Sequence, residues 1–210
     1  YLDYRPAESG FFPFVLTGQT IDRKMYDFLN SYLVEAGSDG VVRVAGANLN
    51  YSMIKLVETE QAEMVAHGAH DIKVRLLDVE GGVNRPLPVA LGVIPGASHS
   101  GKNKGIMRSV LSPQSQNKPQ VAEILKCLTV ADADGFADRM AALNQLTLKS
   151  QDRKHRYVML VFIVLDDQGD PIKDYDLFLL GGDGNSPDKL SKGFFVDRQQ
   201  NRAHPNHLVY

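Results

Sequence analysis

Two short loops hold the residue types from which an acid-base relay can be built. In Gly37-Ser38-Asp39-Gly40 a carboxylate is flanked by glycines that let the backbone turn sharply. In Ala97-Ser98-His99-Ser100-Gly101 an imidazole stands among small residues that leave the ring room to reach a partner. A carboxylate beside an imidazole fixes the ring tautomer and stabilises the imidazolium. The imidazole then takes the proton of a hydroxyl nucleophile and returns it to a leaving alcohol. Asp39 and His99 are therefore the candidate acid and base. Both residues also have plainer readings, because Asp-Gly pairs usually make turns and a lone loop histidine is usually surface.

The nucleophile is harder to place. The chain contains no Gly-x-Ser-x-Gly elbow; centring that pattern on Ser98 puts Ser100 where the closing glycine belongs. Ser98 is also too close in sequence to His99 to lean comfortably on its ring. The serine is expected upstream of Tyr1, in a segment that joins this one. Three other clusters invite a ligand and each has a simpler reading. His67-Gly68-Ala69-His70-Asp71 has metal-ligand chemistry but lacks a fourth ligand. The Asp166 to Asp170 cluster lacks the calcium-loop signature, and Gly181-Gly182-Asp183-Gly184 has no Lys-Ser/Thr to follow it. No cofactor and no metal are expected.

The elements that must position Asp39 and His99 follow from hydrophobic patterning. Phe11 to Gly18 is a continuous apolar run closed by glycine, which predicts a strand buried on both faces. Asp22 to Val34 carries apolar residues at helical spacing, and Val41 to Asn50 reads as a short helix or turn. Ile72 to Leu77 alternates with period two, as a half-exposed strand does. Pro88 to Pro95 is a second buried-strand run that leads straight into the His99 loop. Helices are predicted over Pro119 to Leu128, with proline in the first turn, and over Asp134 to Leu146. After the charged stretch Lys149 to Arg156, the runs Tyr157 to Leu165 and Tyr175 to Leu180 read as two strands of a hairpin-like unit, with Gly193 to Asp197 as a third.

Composition bounds the rest. In 210 residues, 23 basic and 25 acidic side chains give a net charge of −2, so no global field draws in nucleic acid. The single Cys127 can form no internal disulfide. No apolar run approaches the roughly 18 residues of a membrane span, and the chain reads as soluble. Residue 1 is Tyr, and the sequence reads as a piece of a longer chain.

Gly37-Ser38-Asp39-Gly40-Val41-Val42-Arg43-Val44 resembles the acid loop of bacterial lipases and phospholipases of the α/β-hydrolase family. Ala97-Ser98-His99-Ser100-Gly101, with Gly105-Ile106-Met107 after it, is similar to their histidine loop. Asp166 to Pro171 and Gly193 to Arg198 resemble a C-terminal sandwich found on some of these enzymes, among them lipase effectors of type VI secretion. The resemblance implies an α/β fold: residues 1–150 as the C-terminal part of an α/β-hydrolase catalytic domain, and residues 151–210 as the start of a β-rich, sandwich-like domain. It also implies a serine-type carboxylic-ester hydrolase acting on a lipid or phospholipid ester, with an N-terminal segment that carries the serine. An immunity or chaperone partner and secretion without a signal peptide are part of the same expectation. Two departures stand out, the missing elbow and a step of 60 residues from Asp39 to His99 that leaves room for a lid or subdomain around Glu58 to Gly82. From a different class, the chain reads as a binding or scaffold module on a degenerate α/β-hydrolase fold.

Overall fold

The computed structural model describes residues 10–21, 37–67, 70–84, 88–101, 104–110, 113–152, 156–181, 189–195 and 198–210. The chain divides into two compact units, Tyr1–Arg156 and Tyr157–Tyr210.

In the first unit the two continuous apolar runs become β1 (Phe14–Gly18) and β4 (Ala90–Ile94), and these pair in parallel with Phe14 opposite Ala90 and Gly18 opposite Ile94. Between them in sequence come the short helix α1 (Val44–Ala47) and two 15-residue strands, β2 (Met53–His67) and β3 (His70–Asn84). After β4 come α2 (Ile106–Ser109), a 3₁₀ turn over Pro113–Asn117, α3 (Pro119–Leu128) and α4 (Ala133–Ser150). The sequence places α3 at its observed bounds. It stops α4 short, because Asp132 caps the helix by accepting the N–H of Gly135 at 2.7 Å and the last turn is largely polar. The helix expected over Asp22 to Val34 lies outside the described residues.

The core lies where α4 packs on β4, with Phe14 and Leu16 of β1 packed against it. Ala90, Val93, Ile94 and Leu143 are essentially inaccessible, with Cys127 and Phe136 beside them. Phe136 stacks on Phe12 and meets Phe14 edge-on, at centroid distances of 5.5 and 5.3 Å. Gly92 leaves the space into which Leu143 and Leu16 project; a Cβ there falls 2.7 and 2.9 Å from their Cδ2 atoms. Thr147 on α4 tightens this packing from the polar side. Its hydroxyl accepts the N–H of Val93 at 2.9 Å and donates to the carbonyl of Leu91 at 3.3 Å, so a helix side chain satisfies backbone groups of β4. Burial pushes the Cys127 thiol up to about 11, against a weaker opposing effect of Lys126. That makes it a packing residue at neutral pH rather than a nucleophile.

The 60-residue step between the two candidate residues is filled by a long antiparallel hairpin of β2 and β3. Two irregularities bend it. Gly81 and Gly82, both at positive φ, are the extra residues between the Ile54–Val83 and Lys55–Glu80 pairs. A second register shift lies between Glu58 and Ala62, where Thr59 donates its hydroxyl proton to the carbonyl of Leu76 at 3.1 Å. At the base of the arm, the Asn50 side chain donates to the carbonyl of Val89 at 2.9 Å and accepts the Val89 N–H at 2.7 Å.

The second unit corrects part of the expected order. Only Val161–Ile163 (β5) of the first run is in a ladder, and it pairs with β7 (His207–Val209) rather than with Tyr175 to Leu180. The third strand is β6 (Gln199–Gln200), and the sheet order is β5-β7-β6; of the run expected over Gly193 to Asp197, Gly193 to Phe195 are not in a strand and the last two residues lie outside the described residues. The chain end wins the central position because it supplies both the buried Leu208 and Tyr210, whose ring meets Phe162 edge-on at 6.0 Å. Tyr175 to Leu180 is held instead by a side-chain bond, from the Tyr210 hydroxyl to the Leu177 carbonyl at 2.8 Å. The described residues of this unit form one three-stranded sheet and do not show a second layer of a sandwich. The whole chain is thus a mixed α/β structure with small sheets. Among the described residues no helix is long and apolar enough to cross a membrane.

Candidate functional site

Because β1 and β4 are parallel neighbours, the segments that leave their C-terminal ends emerge at one edge of the sheet, where open α/β sheets place ligands. The Asp39 loop follows β1 and the His99 loop follows β4 directly. Gly18, the last residue of β1, packs so closely on the second loop that a Cβ there would sit 2.1 Å from the Ala97 carbonyl oxygen. The N–H of Thr20 donates to that same oxygen at 3.1 Å. The strands therefore fix where the histidine loop starts.

The acid loop is a tight turn closed on itself. Gly37 and Gly40 have φ of 82° and 101°, values that favour glycine, and bracket Ser38 and Asp39, both buried. The N–H of Asp39 donates to Val42 O at 3.1 Å, and the N–H of Gly40 to the Ser38 hydroxyl at 3.1 Å. One carboxylate oxygen, Oδ1, accepts the N–H groups of Val41 and Val42 at 3.0 and 2.8 Å. The other, Oδ2, lies 3.2 Å from His99 Nδ1. A second tie joins the same two residues through the main chain, for the His99 N–H donates to the Asp39 carbonyl at 2.9 Å. The Asp39 side chain is 5% exposed and the His99 side chain 31%. The structure thus brings the two predicted residues together and leaves the ring partly open to the outside. A buried carboxylate with one oxygen occupied by amides can offer the other to an imidazole in a single orientation, and that suits fixing a tautomer.

The histidine loop is knitted by its own backbone. Gly96 and Gly101 turn with positive φ, and Ser98 and Gly105 form a parallel bridge. The N–H of Ser98 donates to Lys104 O, that of Ile106 to Ser98 O, and that of Met107 to His99 O, at 2.9, 2.8 and 3.2 Å. A Cβ on Gly105 would lie 2.3 to 2.5 Å from the Ser100 and Gly101 backbone, so only glycine fits. Ser98 is 1% exposed and its hydroxyl donates to the Ser100 carbonyl at 2.9 Å. Sequence reasoning missed the roles of Gly18 and Gly105. Their signal was the placement of a glycine at a strand end and at a helix start beside the two loops.

Among the described residues no three His, Cys, Asp or Glu side chains come close enough to hold a metal ion. Asp166 Oδ1 is occupied by the N–H groups of Gln168 and Asp170, as a capped turn requires. His67-Gly68-Ala69-His70 and Gly182 to Gly184 fall wholly or partly outside the described residues.

No protein-family model and no curated protein matches the chain. Solved structures do. The chain is similar to phospholipase PlaB from Legionella pneumophila, solved in complex with thio-NAD, with 38% identity and a TM-score of 0.79 over 100% of this chain and 46% of that one. A second structure of the same phospholipase gives 38% identity and a TM-score of 0.77, over 100% of this chain and 44% of that one. The chain spans less than half the length of the solved relatives it matches.

Proposed function

We propose that this chain is part of a serine-type carboxylic-ester hydrolase of the α/β-hydrolase kind, acting on phospholipid, in which Asp39 is the acid and His99 the base. The observation that carries the reading is the contact of Asp39 Oδ2 with His99 Nδ1 at 3.2 Å, made by a buried carboxylate whose other oxygen is tied to two backbone amides. The likeness of this chain, along all of its length, to part of a phospholipase supports the substrate class. The nucleophilic serine lies outside these 210 residues, and the boundary between a catalytic part and a β-rich part falls near residue 150.

In this reading Asp39 holds the Nδ1–H tautomer, so Nε2 has a lone pair for the serine hydroxyl. As the serine oxygen attacks the ester carbonyl, Nε2 takes its proton, and Asp39 stabilises the imidazolium that forms. The proton then passes to the leaving lysophospholipid or glycerol oxygen as the tetrahedral intermediate collapses to the acyl-enzyme. A water molecule, deprotonated by the same nitrogen, releases the fatty acid.

The test is hydrolysis of phosphatidylcholine vesicles by the full-length protein and two variants. His99→Ala should abolish turnover, and Asp39→Asn should lower kcat by about 10⁴ while leaving the fold intact. Near-wild-type rates in both variants would place the base elsewhere.

A further inference from the structure

We propose that Ser98 is a positioning residue for His99, its buried hydroxyl closing the loop across the histidine so that the ring stays seated on Asp39. The inference rests on the reading of His99 as the base. A hydroxyl removed from water costs free energy unless it is bonded, and Ser98 is 1% exposed. It spends its proton on the carbonyl of Ser100, two residues on, at 2.9 Å. His99 is the residue spanned. Around it every main-chain group of Ser98 and His99 is committed: the Ser98 N–H to Lys104, its carbonyl to Ile106, the His99 N–H to Asp39 and its carbonyl to Met107. The hydroxyl therefore adds a side-chain tie on the C-terminal side of His99, beside the main-chain bond of the His99 carbonyl to Met107, where the chain turns toward Gly101 at a φ of 114°.

The need for that tie comes from the ring's own contact. At 3.2 Å the Nδ1 to Oδ2 distance is at the long end of a hydrogen bond, and a drift of a few tenths of an ångström in the loop breaks it. Ring and substrate are then misaligned without any loss of substrate binding. The expected signature is a fall in kcat with KM preserved, and because a loss of folded protein also lowers apparent kcat at constant KM, the state of the ring N–H with the fold intact is what separates the two.

The experiment compares full-length wild type with Ser98→Ala and with Ser98→Cys, which keeps the packed volume but replaces the hydroxyl by a weak donor. Kinetics on phosphatidylcholine vesicles are paired with proton NMR of the ring N–H that His99 directs at Asp39, a resonance shifted far downfield. Both variants should lose about 10- to 100-fold in kcat, with KM changed less than about 2-fold, and their downfield resonance should broaden through exchange with water while the amide spectrum is kept. Wild-type kcat and a sharp downfield resonance in both variants would overturn the proposal. So would complete loss of turnover with that resonance intact, which would make Ser98 a nucleophile, or absence of the resonance from the wild type. If the wild type hydrolyses no ester but both variants lose its downfield resonance, the positioning role stands and the hydrolase reading fails.

Discussion

The loops that carry Asp39 and His99 and the hairpin that lies between them in sequence solve opposite problems. In the loops, nearly every backbone group is spoken for within one small volume, and Gly18 and Gly105 admit other backbone so closely that a single carbon atom would collide with it. In the hairpin, Gly81 and Gly82 also adopt positive φ, yet a Cβ on either meets nothing. Met53, Ile54, Leu56, Met64, Leu77, Val79 and Val83 remain exposed along it. The ladder holds itself together by strand pairing, with Arg75 bonded to Glu58 at 2.8 Å and Lys55 to Glu80 as additions. Glycine therefore means two different things in one chain: close approach in the loops and a bend in the hairpin.

The sharpest way to break this contrast is Gly105→Ala. The added carbon must push aside the Ser100 and Gly101 backbone, so the His99 contact should be lost and phosphatidylcholine turnover should fall by at least about 10², with stability lowered by roughly 2–4 kcal/mol in chemical denaturation. Retained turnover would mean that the loop tolerates movement and that the close approach is incidental. Gly81→Ala is the matched comparison. Its cost is backbone strain alone, about 1–2 kcal/mol for a side chain in the left-handed region, read as faster amide exchange in β2 and β3 with turnover unchanged. The smallest effect is expected from Arg75→Ala, which removes an exposed ion pair and should change stability by no more than about 1 kcal/mol. A larger loss would show that cross-strand charge, rather than the ladder, holds the hairpin in register.

The same contrast explains how much the sequence discloses. The Asp39 and His99 loops are legible because small residues and a chemical group stand together right after apolar runs, and parallel pairing of β1 with β4 then follows from two buried strands. The hairpin is half legible: Ile72 to Leu77 alternates visibly, but β2, with Glu58, Thr59, Glu60 and Gln61 in a row, has no apolar periodicity to read. In the second unit the sequence does not single out the strand partners, because Val161–Ile163 and Tyr175 to Leu180 are comparably apolar. What decides between partners is the seating of Leu208 and Tyr210, which are far off in sequence. For Gly105 the sequence offers only its placement at a helix start beside the His99 loop; the close approach itself depends on backbone that comes near only after the loop closes.

The Asn50 clasp has a consequence for protein engineering. It brings two chain positions 39 residues apart into direct contact, so the segment between them is a cassette with both its ends at one point. Such a segment can be excised and replaced by a short turn, or exchanged for a foreign hairpin, with only a small change in loop-closure entropy. The graft points are set by a single amide side chain.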